Sequence, residues 1–143
     1  MEESYERWSD PPAPTQPLES VSLATFGNGL AVLLVATSFG FVKITFQSTI
    51  AVAAHDETTH PLIDRNAALP QLPTRGAYPY LKVVNSAWAG SLSDIRREFN
   101  EEPPTHYLVI TYNNYVDVLS YVEPEIEQLG EGAWEHMFGN VAP

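Results

Sequence analysis

The chain has 143 residues, no cysteine and a formal net charge of −11, from 18 acidic and 7 basic residues. This length suits one domain with a hydrophobic core of its own, and the lack of cysteine excludes disulfides, thiolate metal sites and thiol nucleophiles within it. The negative charge repels nucleic-acid phosphates and anionic lipid headgroups, so we expect neither a nucleic-acid partner nor a membrane partner.

Residues 1–18 are acidic and rich in proline, which favours an extended tail that buries little surface. The sequence therefore predicts a tail over residues 1–18 and a single domain over residues 19–143. Tyr5 and Trp8 are the exceptions in the tail, because they offer apolar surface that can dock on the domain or on a partner. The first residues have neither the basic nor the apolar region of a signal peptide, and we expect a cytoplasmic protein.

The segment from Ser20 to Val42 has no charged residue and is long enough to cross a bilayer. It is interrupted by Gly27-Asn28-Gly29, which is typical of a tight hairpin turn because Asn and Gly accept a positive φ. Leu30–Thr37 is nearly all apolar and predicts a strand buried on both faces. We therefore interpret the segment as a buried β-hairpin and not as a membrane span.

Further strands are predicted by alternating or β-branched patterns on both sides of one helix. Ser86 is a suitable N-cap for a helix from about Ala87 to Asn100, which Pro103-Pro104 prevents from continuing. An Asn113-Asn114 turn is predicted to join the last two strands. The predicted fold is α+β, a mostly antiparallel β-sheet of about seven strands with one packed helix. The predicted strands are 20–25, 30–37, 41–47, 50–54, 80–85, 106–112 and 115–121.

Residues 55–79 have no regular pattern and contain several prolines. A loop of this length in a compact domain is usually functional or mobile. Its first residues contain the side chains suited to a divalent metal or to acid–base chemistry, namely His55, Asp56, Glu57 and His60. The spacing differs from the helical zinc motif, which has two histidines at i and i+4. The alternative is a solvated polar loop, and we expect no metal and no cofactor.

His106 is a second candidate for acid–base chemistry, because histidine titrates near neutral pH. A general base would need a carboxylate partner, and Glu101, Glu102 and Asp117 are the candidates. With a turn at Asn113-Asn114, position 106 pairs near position 121, so His106 and Asp117 are not opposite one another. The alternative is a strand-edge histidine bonded to nearby backbone.

The last predicted hairpin is rich in tyrosine, which is common in protein interfaces because it combines a large contact area with a polar tip. We interpret these aromatic residues as exposed, although aromatic residues also favour strands for structural reasons alone. The predicted partner-binding residues are Tyr107, Tyr112, Tyr115, Asp117 and Tyr121.

Three stretches together resemble a group of small uncharacterised bacterial proteins. They are Phe26–Leu30 continuing through Val42–Phe46, then Val83–Trp88, then His106–Ile110. The group lends no activity. The small, acidic, hairpin-rich character of the chain is also similar in type to immunity proteins that neutralise toxins.

The sequence therefore favours a non-enzymatic protein-binding domain, an immunity-type inhibitor or accessory factor that recognises a basic protein. The alternative is a small metal-dependent or acid–base enzyme that uses His55, Asp56, Glu57 and His60, with His106, and with His55 and His60 as metal ligands. A third possibility is a homodimer formed through an exposed edge of the last hairpin.

Overall fold

The computed structural model describes residues 4–8, 20–37, 40–56, 80–95, 103–111 and 113–129. These residues form nine strands and one helix. The elements are β1 (Ser4–Arg7), β2 (Val21–Thr25), β3 (Ala31–Thr37), β4 (Gly40–Phe46), β5 (Thr49–Asp56), β6 (Tyr80–Val84), α1 (Ala87–Ile95), β7 (Thr105–Ile110), β8 (Asn114–Ser120) and β9 (Glu125–Leu129).

The strands form two sheets, one with the order β1-β6-β7-β8-β5 and one with the order β2-β3-β4-β9. Every pair is antiparallel, which confirms the predicted antiparallel character. The described chain is mainly β, whereas the sequence predicted α+β, and its nine strands lie in two sheets where about seven strands in one sheet were expected. The difference in number comes from β1 and β9, which lie in segments too polar to predict as strands.

The β2–β3–β4 meander follows the predicted pattern closely. Gly29 has a φ of 84°, the conformation that the predicted turn requires, and the side chain of Asn28 accepts a hydrogen bond from the Leu30 N–H. Strand β3 is buried on both faces from Ala31 to Val35, as its continuous apolar run predicts. Alternate residues of β4 are buried, because only one of its faces packs on the core.

The core lies between the two sheets and is centred on aromatic rings. Phe46 from the second sheet and Tyr107 from the first have ring centroids 5.1 Å apart in an edge-to-face arrangement. Trp8 contacts both rings and also Tyr80, with centroid distances from 5.2 to 6.4 Å. Edge-to-face contacts of this kind add to the gain from apolar burial, so this cluster joins the sheets.

Strand β1 shows that the predicted tail is partly structured. It pairs with β6, with Tyr5 opposite Val83, and Trp8 is 4% exposed. Of the two alternatives for Tyr5 and Trp8, docking on the domain or on a partner, docking on the domain is the arrangement found. The remainder of the predicted tail, residues 1–3 and 9–18, lies outside the described residues.

The turn between β7 and β8 is one residue earlier than predicted. The Thr111 N–H donates to the Asn114 carbonyl at 3.0 Å, and Ile110 pairs with Tyr115, so Asn114 lies in the strand and not in the turn. Asn114 begins β8, and its side chain bonds to the backbone of β2. Its Nδ2 donates to the Val21 carbonyl at 2.7 Å and its Oδ1 accepts from the Val21 N–H at 3.0 Å. These two bonds connect the two sheets.

Strands β7 and β8 are interior strands, since β6 and β5 flank them. The prediction that the last hairpin presents an exposed edge is therefore wrong, and the homodimer that it suggested remains only a prediction. Within the predicted 55–79 loop, His55 and Asp56 end β5, and residues 57–79 lie outside the described residues.

Helix α1 begins where the sequence predicted, and its described part ends at Ile95, with 96–100 outside the described residues. No helix among the described residues is long and apolar enough to cross a membrane. The uncharged segment that has the length of a membrane span instead forms β2, β3 and the start of β4.

Candidate functional site

The site is built at the junction between β6 and α1, where the chain turns sharply from strand to helix. Asn85 makes this turn with a φ of 58°, a left-handed conformation that asparagine tolerates better than most residues. Ser86 follows as the N-cap, and its Oγ accepts a hydrogen bond from the Ala89 N–H at 3.1 Å. The predicted cap is therefore confirmed, and it fixes the position of the serine hydroxyl.

Ser86 is the first member of a hydrogen-bonded chain of three side chains. Its Oγ lies 2.7 Å from His106 Nδ1, and His106 Nε2 lies 2.5 Å from Asp117 Oδ1. Both contacts are hydrogen bonds, and the second is shorter than the roughly 2.7 Å lower end of the usual N–H···O range. Serine, histidine and aspartate are thus joined in the order that a nucleophile, a general base and an orienting carboxylate require.

The direction of the protons in this chain follows from the donors available. An ionised Asp117 only accepts hydrogen bonds, so His106 Nε2 must carry the proton that it donates. In a neutral imidazole, Nδ1 then has the lone pair and accepts the Ser86 hydroxyl proton. His106 is therefore held in the tautomer whose basic nitrogen faces the serine.

The sheet register explains why His106 and Asp117 meet. His106 pairs with Leu119, and Asp117 is two residues before Leu119 on the same strand, so both side chains lie on the same face as diagonal neighbours. The predicted turn placed position 121 opposite His106 and separated the two residues. That prediction is wrong, because the partner of His106 is Leu119 and not position 121, which brings Asp117 two positions closer to His106.

Both members of the imidazole–carboxylate pair are shielded from solvent. The side chains of His106 and Asp117 are 7% and 6% exposed, and the Trp88 ring lies edge-on to the His106 ring with centroids 5.3 Å apart. An isolated carboxylate in such a place would be unfavourable, and the His106 bond is what compensates its desolvation. Trp88 comes from the first turn of α1, so the helix covers the pair.

His55 approaches the same carboxylate from the other side. It lies on β5, and its Nδ1 is 3.8 Å from Asp117 Oδ2, which is too long for a hydrogen bond. His106, Asp117 and His55 thus form a row across β7, β8 and β5 on one face of the sheet. Of the predicted enzyme residues, the structure brings His55 and His106 together around Asp117.

The predicted metal site is only partly described. Glu57 and His60 lie outside the described residues, as does the Asp56 side chain. Among the residues that the structure describes, no group of three or more histidine, aspartate or glutamate side chains is arranged to hold a metal ion.

A cavity of about 590 Å³ opens beside the serine and the histidine. Its walls come from the end of β6, the first turns of α1, the segment that enters β7, and Glu6 of β1. The lining residues include Ser86, Ala89, Gly90, Pro104 and His106. This volume lies within the range of small-molecule sites. Ser86 and His106 both border the cavity.

The predicted partner-binding residues are mostly inside the protein. Tyr107, Tyr115 and Asp117 are 2%, 4% and 4% exposed, whereas Tyr121 is 37% exposed. Tyr112 lies outside the described residues. The interpretation of Tyr107 and Tyr115 as exposed aromatic residues is wrong, because both faces of their sheet are covered, one by the second sheet and the other in part by α1.

Tyr107 is also electrostatically perturbed. Burial raises the pKa of its phenol above the ordinary value, and the negative charge of Glu123 raises that pKa further, while a hydrogen bond with Thr105 acts in the opposite direction. The ammonium of Lys82 lies 5.8 Å from the centre of the same ring, and it pairs with Glu123 at 3.3 Å.

The chain matches no protein-family model, no curated protein and no solved structure. The resemblance to small uncharacterised bacterial proteins therefore remains a prediction.

Proposed function

We propose that this protein is a small serine-dependent hydrolase in which Ser86 is the nucleophile, His106 the general base and Asp117 the residue that orients the histidine. The observation that carries the proposal is the continuous hydrogen-bonded chain from the Ser86 hydroxyl through His106 to Asp117, at 2.7 and 2.5 Å. The cavity beside Ser86 and His106 supplies the space in which a substrate can reach the hydroxyl.

The reaction class is acyl transfer to water. Ser86 Oγ attacks the carbonyl carbon of an ester, and its proton moves to His106 Nδ1. The bond to the leaving oxygen then breaks, and the leaving alcohol takes that proton. Water next attacks the acyl-serine, gives a proton to His106 Nδ1 and releases the acid as the proton returns to Ser86 Oγ.

The surroundings of the serine support this assignment. The Ala89 N–H, already bonded to Ser86 Oγ at 3.1 Å, stabilises the negative charge that develops on this oxygen as its proton leaves. Asp117 stabilises the imidazolium formed on His106, and its position behind the ring keeps the reactive nitrogen aimed at Ser86. The positive end of the α1 dipole lies at the same junction.

The direct test is covalent labelling of the full chain by a fluorophosphonate, followed by mass spectrometry and by ester-hydrolysis assays. We expect the label on Ser86 and loss of hydrolysis, by about 10³-fold or more, in Ser86→Asn and Asp117→Asn. Asn is a good N-cap without a nucleophilic hydroxyl, so Ser86→Asn preserves the start of the helix.

Ser91→Ala is the matched control, because Ser91 lies on the same helix, donates its hydroxyl proton to the Trp88 carbonyl at 2.8 Å and is not among the residues that line the cavity in the described part of the chain. It should label and hydrolyse like the unmodified protein. A folded wild-type chain that leaves Ser86 unlabelled would contradict the proposal and reduce the three-residue chain to a structural network.

A second candidate function, protein binding, is supported by a different surface. Tyr121 and Val122 are 37% and 50% exposed and are followed by Glu123, Glu125 and Glu127, which are all exposed. We define these five residues as the 121–127 surface. An apolar centre with acidic neighbours suits a basic protein partner, in keeping with the net charge of −11.

This second proposal predicts association that slows as salt rises. Capture experiments on native extracts should compare the unmodified chain with Tyr121→Ser/Val122→Ser and with Phe26→Ser, a control at another residue that is 53% exposed. Equal capture by all three, or association that is insensitive to salt, would count against the 121–127 surface.

A further inference from the structure

Gly90 leaves one wall of the cavity bare, directly below the candidate nucleophile. Its N–H donates to the Ser86 carbonyl at 3.0 Å, so Gly90 is one helical turn after Ser86 on the same side of α1. Both residues line the cavity. Apart from its two chain neighbours and the backbone of its own helix, a Cβ added at Gly90 would meet no atom of the described residues within 4 Å, so the space beside this position is open.

Glycine is an unfavourable residue inside a helix, since it loses more conformational entropy than alanine and packs no side chain. Gly90 has a helical conformation and no close neighbour, so neither backbone strain nor crowding requires glycine there. Because Gly90 lines the cavity and has no side chain, it contributes only backbone to the cavity wall.

The charges around the cavity indicate what it can accept. Among the residues that the structure describes, Glu6 and Lys82 are the ionisable ones in its lining besides His106. The Lys82 ammonium is paired with Glu123, and Glu6 is its neighbour across the β1–β6 pair. No unpaired cation among the described lining residues is therefore available to bind a carboxylate or phosphate, and the net charge of −11 adds repulsion.

We propose that the cavity binds uncharged linear acyl groups of several carbons and that Gly90 determines their maximum length. This inference rests on the proposed hydrolase function and deepens it, because it assigns the substrate class as neutral esters with medium-length acyl chains. In this arrangement the carbonyl carbon of the ester lies at Ser86. Its acyl chain extends along the bare helix surface at Gly90, between the apolar walls that Val84, Ala89 and Pro104 contribute.

The test compares hydrolysis of p-nitrophenyl acetate and p-nitrophenyl hexanoate by the full chain and by Gly90→Ala and Gly90→Leu. Gly90→Leu should lower the ratio of kcat/KM for the hexanoate to kcat/KM for the acetate by about tenfold or more, because the leucine side chain occupies space that the longer acyl chain needs. Gly27→Leu is the control, since a Cβ at Gly27 also meets nothing within 4 Å and Gly27 is not in the cavity lining.

A binding measurement separates failure of this inference from failure of the proposed function. Calorimetric titration of hexanamide into the Ser86→Asn protein needs no catalysis, and we expect binding that Gly90→Leu weakens by about tenfold or more. Hexanamide binding without Ser86-dependent hydrolysis would retain the acyl-chain cavity and reject the hydrolase. If Gly90→Leu hydrolyses esters with the same chain-length preference as the unmodified protein, the proposed role of Gly90 is wrong. If the folded protein does not bind hexanamide, the proposed acyl-chain cavity is wrong.

Discussion

The His106–Asp117 pair gives the sharpest prediction about stability. In His106→Leu, the Asp117 carboxylate stays buried and loses the donor 2.5 Å from its Oδ1. Removing one partner of a buried charged pair costs about 3–5 kcal/mol. Because His55 lies 3.8 Å from the other carboxylate oxygen and can compensate part of the charge, we expect about 3 kcal/mol, near the lower end of that range.

The second half of the prediction concerns the double variant His106→Leu/Asp117→Leu. Replacing both members of a buried pair by apolar residues of similar volume is often neutral or stabilising. We therefore expect the double variant to unfold within about 1 kcal/mol of the unmodified protein, and to be more stable than His106→Leu by about 2 kcal/mol. The gain would show that the cost in the single variant comes from the stranded carboxylate.

Urea unfolding followed by tryptophan fluorescence measures both effects. With a slope of about 2 kcal/mol per molar urea for a domain of this size, a loss of 3 kcal/mol lowers the midpoint by about 1.5 M. His106→Gln is the control, because its amide can still donate towards Asp117. A single variant that loses less than about 1 kcal/mol, or a double variant no more stable than the single one, would refute the argument.

Two further predictions concern residues outside the site. Asn114→Ala should lower the free energy of unfolding by about 2–3 kcal/mol, because the Val21 N–H and carbonyl lose their bonds to the Asn114 side chain at 3.0 and 2.7 Å. Asn113→Ala, at an exposed position, should change the free energy of unfolding little. Urea unfolding of both variants distinguishes these outcomes, and equal losses would contradict the role of Asn114. The raised pKa of Tyr107 favours its neutral form in the folded protein. The contribution of this group to the free energy of unfolding is therefore fully present below the unfolded tyrosine pKa of about 10, and it is lost as the pH rises through the folded pKa. In thermal unfolding at pH 8 to 11, the Tm of Tyr107→Phe should therefore fall less with rising pH than the Tm of the unmodified chain or of the exposed control Tyr121→Phe. Identical dependence of Tm on pH in all three would contradict this.

Much of the second sheet and the helix start could be predicted from local patterns. Alternation in β4, the continuous apolar run in β3 and the serine before α1 are each signals confined to a few residues. Strand β1 gave no such signal, because its pairing with β6 involves residues nearly 80 positions apart and it lies in an acidic, proline-rich segment. Tyr5 within the strand and Trp8 just after it are the visible indications, as large aromatic side chains in an otherwise polar segment.

The candidate site was missed because of one turn. His106 and Asp117 were both recognised as residues of interest, but their contact depends on the register, and a shift of one residue in the turn changes which positions are opposite. Two adjacent asparagines offered two possible turns. The choice is decided by the bonds of Asn114 to Val21 and Thr111, a contact spanning 93 residues that no local pattern indicates.

Ser86 was predicted only as a helix cap, and its approach to His106 depends on the pairing of β6 with β7. A signal was nevertheless present in the sequence, namely a serine at a strand-to-helix junction in a chain with a strand histidine and a strand aspartate. Residue types alone did not identify the trio, because serine caps are common and only the assembled sheet brings the three side chains within bonding distance.

Strand β1 has a practical consequence for any shortened form of this protein. A chain that started at residue 19, the boundary that composition suggests, would lose Trp8 from the aromatic core and Glu6 from the cavity wall. It would also leave the backbone amides and carbonyls of β6 unsatisfied along a newly opened side of the sheet, immediately before Ser86. Unprotected strands of this kind recruit other chains, so trimming the first residues is a route to aggregation and loss of the site together.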